Sequence, residues 1–185
     1  NFTHMGDVLS NSWVPSSRYV VNSVFITAVG VILQIVFATC AAYALTKFDF
    51  PGRGVLFSMV VFALMFSPIV TSIPTYLVLT RLNMIDTYWS IILPAAQSSM
   101  GLYLMRQFMT SGISDAVLES ARLDGSSELR TYWTIAMPMV KPAWLTLIVY
   151  SFKDLWNTGA STYIQSEQLK TFNYAISQIV SGGIA

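Results

Sequence analysis

Few side chains in this sequence have the types and spacing that chemistry needs. Cys40 is the only cysteine and His4 the only histidine. Together they cannot form an ordinary zinc site, and they leave no Ser-His or Cys-His pair in the apolar part of the chain. Two places hold the remaining capable groups. The first is Lys153, Asp154 and Asn157, with Tyr150 and Trp156 beside them, inside an apolar run. Ionisable groups at membrane depth either line a water-filled path or relay, or pair with neighbouring helices or reach the interface. The Asn157 amide can bond hydroxyls of a polar ligand, and the Tyr150 and Trp156 rings can pack on an apolar ligand face; aromatic residues near span ends also serve as interfacial anchors. The second place is residues 111–142, which carry Asp115, Glu119, Arg122, Asp124, Glu128, Arg130 and Lys141. Each such charge costs a few kcal/mol in lipid, about 3 by insertion scales, so this stretch lies outside the bilayer.

The elements around these groups are membrane spans. The chain is 54% hydrophobic and 10% charged, with a mean hydropathy of +0.58; soluble domains carry about 25% charge. A net charge of +1 gives no surface for nucleic acid. Apolar runs predict spans at about 19–46, 54–79, 88–109 and 142–164, each about 20 residues or more. Pro51 and Gly52 end the turn after the first run. Pro68 and Pro74 bend the second, while Pro94, Gln97 and Gly101 interrupt the third. Prolines are tolerated in membrane helices where neighbours satisfy the freed carbonyls. Gln34, Gln97, Ser98 and Ser99 either line a route or bond between helices. A weakly amphipathic stretch covers Phe172 to Val180. Lys47, Arg53, Arg106, Arg122, Arg130 and Lys141 fall on one side, against Arg18, Arg81, Lys170 and Lys153 on the other. That bias puts the charged loop, about 111–141, in the cytoplasm.

Within the loop, Ser114 to Asp124 reads as a short helix. Ser114 can cap its start, Asp115 suits the positive end of the helix dipole, and Gly125 suits a left-handed position just past its end. Val117, Leu118 and Ala121 form one apolar side. Ser126 or Ser127 then caps a second helix, with Glu128 in its first turn, running through Tyr132 and Trp133 toward Pro138. The expected architecture is all-α: one polytopic transmembrane helix bundle over residues 1–185 with a cytoplasmic helix-turn-helix projection.

Glu119-Ser120-Ala121, then Gly125, then Ile135-Ala136-Met137-Pro138 resembles the EAA motif of binding-protein-dependent ABC importer permeases, with the spacing preserved throughout. Ser120 replaces an Ala and Met137 a Leu. Ala42-Tyr43-Ala44-Leu45 through Arg53, Ile73-Pro74-Thr75-Tyr76 through Pro94, and Trp156-Asn157 resemble the carbohydrate-uptake branch, similar to the maltose-system permeases. Ser114 stands where that branch has Pro, and Thr158-Gly159-Ala160 departs from it.

The resemblance implies a type I importer permease fold, truncated at both ends, in a bacterial or archaeal plasma membrane. It implies coupling to an ATPase through Asp115, Leu118, Glu119, Ser120, Ala121, Asp124, Gly125, Ile135 and Pro138, and a solute path near Tyr150, Asp154, Trp156 and Asn157. The implied partners are ABC ATP-binding subunits, a second permease subunit and an extracytoplasmic solute-binding protein. No G-x-x-x-x-G-K-[ST] phosphate loop occurs in the chain, so ATP and Mg²⁺ are expected on the partner, and the chain is expected to be a non-catalytic transport subunit. The implied cargo is a sugar or oligosaccharide. The alternatives are another small polar solute, or an ion-coupled carrier using Asp154 as relay.

Overall fold

The computed structural model describes residues 16–158, 163–164, 166 and 169–182. His4, Gly159 and Ala160 lie outside the described residues. All the regular structure among those described is helical: α1 Ser16–Lys47, α2 Arg53–Ala63, α3 Pro68–Arg81, α4 Trp89–Ala96, α5 Ser99–Gly112, α6 Asp115–Leu123, α7 Glu128–Met139, α8 Lys141–Asn157 and α9 Phe172–Gly182.

Helix α1 is the strut of the bundle. Its 32 residues are apolar and lack proline, and Lys47 in its last turn complements the helix dipole. Among the described residues it is the one helix long and apolar enough to cross a membrane by itself. It packs against α4, α5, α8 and α9. The turn that follows is closed by Gly52 at φ 90° and by Arg53, whose guanidinium bonds the Asp49 carboxylate at 2.6 Å. Gly fits that left-handed position without a Cβ clash.

The second and third runs are not continuous helices. The run expected to bend at Pro68 and Pro74 toward its far end breaks instead at residues 64–67, between α2 and α3, directly before Pro68. Pro68 starts α3, where its missing N–H costs nothing. The run at 88–109 breaks at Gln97–Ser98, where Gln97 is extended and the Ser98 hydroxyl caps α5 by accepting from the Gly101 amide at 2.9 Å. Helix α8 ends at Asn157, short of the expected 164. Ile164 instead packs beyond it in a cluster with Ile26, Ile91 and Ile92.

At that far end, Asp86 ties the α3–α4 turn to the segment after α8. Its carboxylate accepts from the Ser166 amide at 2.8 Å and hydroxyl at 2.7 Å. Helix α9 is held to α1 by the Phe172 amide donating to the Ser23 hydroxyl at 2.8 Å.

Helices α1 and α8 meet through small residues. Ala143, Leu147, Ser151 and Leu155 form the buried stripe of α8, at the i, i+4 spacing of one helix face. A Cβ placed on Gly30 would lie 2.9 Å from Leu155 Cδ1, and one on Gly101 would lie 3.0 Å from Leu147 Cδ1. Close approach at small residues lets membrane helices pack by van der Waals contact. Gly30→Val is therefore expected to cost about 1–3 kcal/mol by overpacking, read as a lower thermal midpoint in detergent. Gly54→Ala, with nothing within 4 Å of its added Cβ, is the control and should not lower the midpoint. Equal midpoints for the two variants would show that α1 and α8 do not pack at Gly30.

Candidate functional site

The charged loop is built as a rigid corner. Helix α6 ends in a left-handed glycine, Gly125 at φ 77°. The Ser126 amide donates to the Ala121 carbonyl and the Gly125 amide to the Arg122 carbonyl, each at 3.0 Å. This paired pattern, six-to-one enclosing five-to-two, satisfies carbonyls left over at a helix end and requires a residue tolerant of positive φ. Ser127 then caps α7, its hydroxyl accepting from the Arg130 amide at 3.4 Å. Across the corner Arg122 Nε donates to Glu128 Oε1 at 2.7 Å, which raises the Arg122 pKa. Ser114 occupies the cap position of α6 as expected, but its hydroxyl makes no capping bond.

The corner is fastened to the end of α1. The Lys47 ammonium, on a side chain only 5% exposed, donates to the Ile113 carbonyl at 2.7 Å and to Asp115 Oδ1 at 2.8 Å. That bond holds the Asp115 carboxyl below its ordinary range. A carboxyl lowered on folding stabilises above its unfolded value, about pH 4, and loses the contribution as pH falls through the folded value.

One turn earlier on α1, the Tyr43 hydroxyl donates to Glu128 Oε2 at 3.4 Å. Thr39 lies 2.6 Å from the Tyr132 hydroxyl. The single Thr39 proton is directed to the Ile35 carbonyl at 2.7 Å, so Tyr132 donates to Thr39, and burial pushes its phenol pKa up. Residues Tyr132–Ala136 form a π-helical turn, a local widening frequent at functional sites. Leu118, Tyr132 and Ala136 join Ala38, Ala42 and Met109 in one buried cluster.

The expected docking residues therefore divide. Leu118 and Ala121 are buried against the bundle and hold the loop, and Ile135 is half-buried. Glu119, Ser120, Asp124, Gly125 and Pro138 are exposed, as is Asp115 beside Lys47. Sequence reasoning passed over Leu123 and Leu129, which are 89% and 75% exposed on the two sides of Gly125. Apolar residues flanking a glycine corner in a charged loop were the available signal.

A second feature is a half-open pocket on the bundle. A cavity of about 650 Å³ is lined by Gln34 from α1, Thr75 from α3, Ser90 from α4, Tyr150 and Asp154 from α8, and both helix breaks, through Leu64, Phe66, Gln97 and Ser98. Non-helical backbone at membrane depth is tolerated where it faces a water-filled space, since hydrocarbon offers it no hydrogen bonds.

The solute-path candidates also divide. Tyr150 and Asp154, one turn apart, face this cavity. Trp156 lines an apolar recess on another side of α8 with Val24, Val31 and Phe152, stacked on Phe152 at 5.6 Å. Asn157 is committed elsewhere: its amide donates to the Lys153 carbonyl and its carbonyl accepts from Asn173, both at 2.7 Å. It is thus a helix-end link to α9 rather than part of the cavity wall.

Residues 16–165 match the family described as "Binding-protein-dependent transport system inner membrane component". The chain is 38% identical over 135 residues to Protein LplC of Bacillus subtilis, covering 73% of this chain and 45% of that protein. It is 35% identical over 136 residues to the polygalacturonan/rhamnogalacturonan transport system permease protein YtcP of the same organism, covering 74% and 46%. The chain spans about half the length of these curated relatives. The crystal structure of a bacterial ABC transporter involved in the import of the acidic polysaccharide alginate contains a similar chain. It matches with a TM-score of 0.85 and 28% identity, covering 95% of this chain and 62% of that one. With the family pattern running from α1 to the end of the cavity, this chain belongs to the inner-membrane components of binding-protein-dependent ABC transport systems.

Proposed function

We propose that this chain is a permease subunit of an ABC importer for a sugar or oligosaccharide, forming half of the translocation path and coupling it to a partner ATPase. The observation that carries the reading is the Gly125 corner: a rigid projection pinned to α1 through Lys47 and Tyr132 that presents Leu123 and Leu129 outward. Exposed apolar side chains on an otherwise charged surface suit burial by a partner protein.

ATP-driven closure of two ATPase subunits moves the corner, and the fastening to α1 carries that movement to the cavity. The paired permeases then alternate between inward-facing and outward-facing states. The solute-binding protein delivers cargo on the opposite side, at the end where Asp86 holds Ser166. ATP and Mg²⁺ bind the partner, and the loop biases its state only through different affinity for the two conformations. The names of the relatives, polygalacturonan/rhamnogalacturonan for YtcP and alginate for the structural neighbour, support carbohydrate as the class of cargo.

The test is purification of the full-length protein with its genomic neighbours, followed by a solute-stimulated ATPase assay. An associated ATPase is expected. Uptake that ignores ATP and collapses with a protonophore would overturn the reading in favour of an ion-coupled carrier. Within the complex, Gly125→Ala meets no atom within 4 Å of its new Cβ, so its effect is backbone strain alone, about 1–2 kcal/mol. Membrane insertion should be retained while stimulation of the ATPase by solute is lost; full stimulation would remove the corner from the coupling route. Tyr132→Phe, which deletes the bond to Thr39, is expected to cost about 1 kcal/mol. That loss should appear as a lower thermal midpoint together with weaker coupling, whereas an unchanged midpoint would show that the bond does not fasten the loop.

A further inference from the structure

The charge pattern of the cavity points to more than a class of transporter. Its polar walls are made of hydroxyls and amides, among them Thr75, Gln97, Ser98 and Tyr150. Asp154 is the one formally charged residue among the described lining residues, which include no Lys, Arg or His. The Asp154 side chain is exposed to this space. The ion pairs found among the described residues are Lys47–Asp115, Arg53–Asp49 and Arg122–Glu128, and the Thr158 hydroxyl donates to the Asp154 main-chain carbonyl and not to its carboxylate.

A carboxylate placed this way is an acceptor with about four lone-pair sites and no donor of its own. Sugar hydroxyls donate to it in charge-assisted bonds. A carboxylate or phosphate on the cargo instead meets like charge with no cation among the described lining residues, Lys153 lying on the next position of α8 outside that lining, and at about 4 Å this costs about 1 kcal/mol even at the dielectric of water and more where water is excluded. A volume of about 650 Å³ falls in the ordinary range of small-ligand sites.

Resting on the import reading above, we infer that this half of the path is a cation-free site for a neutral polyhydroxylated solute, and that Asp154 sets the charge preference by accepting hydroxyl protons and repelling anionic groups. This separates the chain from the structural neighbour, whose cargo is an acidic polysaccharide.

The experiment uses the full-length protein in its purified transporter complex with Cys40, the only cysteine of this sequence, replaced by Ser. Gln97→Cys and, separately, Thr75→Cys place a thiol on the cavity wall. Their reaction rates with a cationic and an anionic methanethiosulfonate of similar size are compared with those of free cysteine. The cation preference should exceed the free-thiol ratio by about tenfold and collapse toward it when Asp154→Asn is added.

In the same preparations galactobiose should shield the thiol from a neutral reagent several-fold better than digalacturonate, its acidic counterpart, and Asp154→Asn should narrow that gap. A ratio equal to free cysteine, thiols unreactive at both positions, or shielding by digalacturonate equal to that by galactobiose would overturn the inference. None of these measurements needs ATP hydrolysis, so a failure here is distinct from the import reading, which falls instead if no ATPase accompanies the protein.

Discussion

Backbone amides and carbonyls find no partner in hydrocarbon, and this constraint organises the bundle. An unbroken helix meets it by internal bonding, as α1 does over 32 residues. A broken one must bring its freed groups to water or to other protein groups. The breaks at 64–67 and at Gln97–Ser98 do so at one place, the wall of the polar cavity, where Thr158 at the end of α8 also lies. Cavity and breaks are thus two aspects of one arrangement. The Gly30–Leu155 and Gly101–Leu147 contacts hold α8 close to α1 and α5 beside this space.

The same economy governs the loop. Its motif letters serve opposite surfaces: Leu118 and Ala121 are turned into the bundle, and Glu119 and Asp124 are turned out. Helix α6 is only nine residues long, too short to be stable in isolation. Its permanence comes from Leu118 in the shared core, from Lys47 at its start and from the doubly bonded glycine at its end. The Arg122–Glu128 pair is half-exposed on both sides and contributes modestly beside these.

Much of this was legible in the residues. The left-handed Gly125, the start of α7 at Ser127 and the extent of α1 follow from turn chemistry and from long apolar composition, which are local and strong signals. The break positions were less legible, because a proline can start a helix just after a separation, as Pro68 does, or sit inside a helix. Pro74 and Pro94 both sit inside helices, and the separations fall at 64–67 and 97–98, where packing decides. The α8 candidates were partly readable by period. Tyr150 and Asp154 share a face at i, i+4 and Trp156 falls off it, whereas Asn157 shares the face by period and is drawn away by its bonds to Lys153 and Asn173. Grouping them by nearness in sequence hid this. Burial of Leu118 against exposure of Leu123 depends on where α1 and α5 lie, which no local pattern contains.

Helix α1 carries Gln34 at the cavity and Lys47 at the loop on one uninterrupted rod. Their separation along its axis is about 20 Å at the rise of an α-helix. Without proline or a break between them, the segment behaves as a lever arm with little internal play. A few degrees of tilt imposed at the loop end reappears as a displacement of the cavity wall, and a displacement imposed at Gln34 returns along the same rod. The direction of transmission is therefore not fixed by the architecture: the rod carries a displacement from the cavity wall to the charged loop as readily as from the loop to the cavity wall.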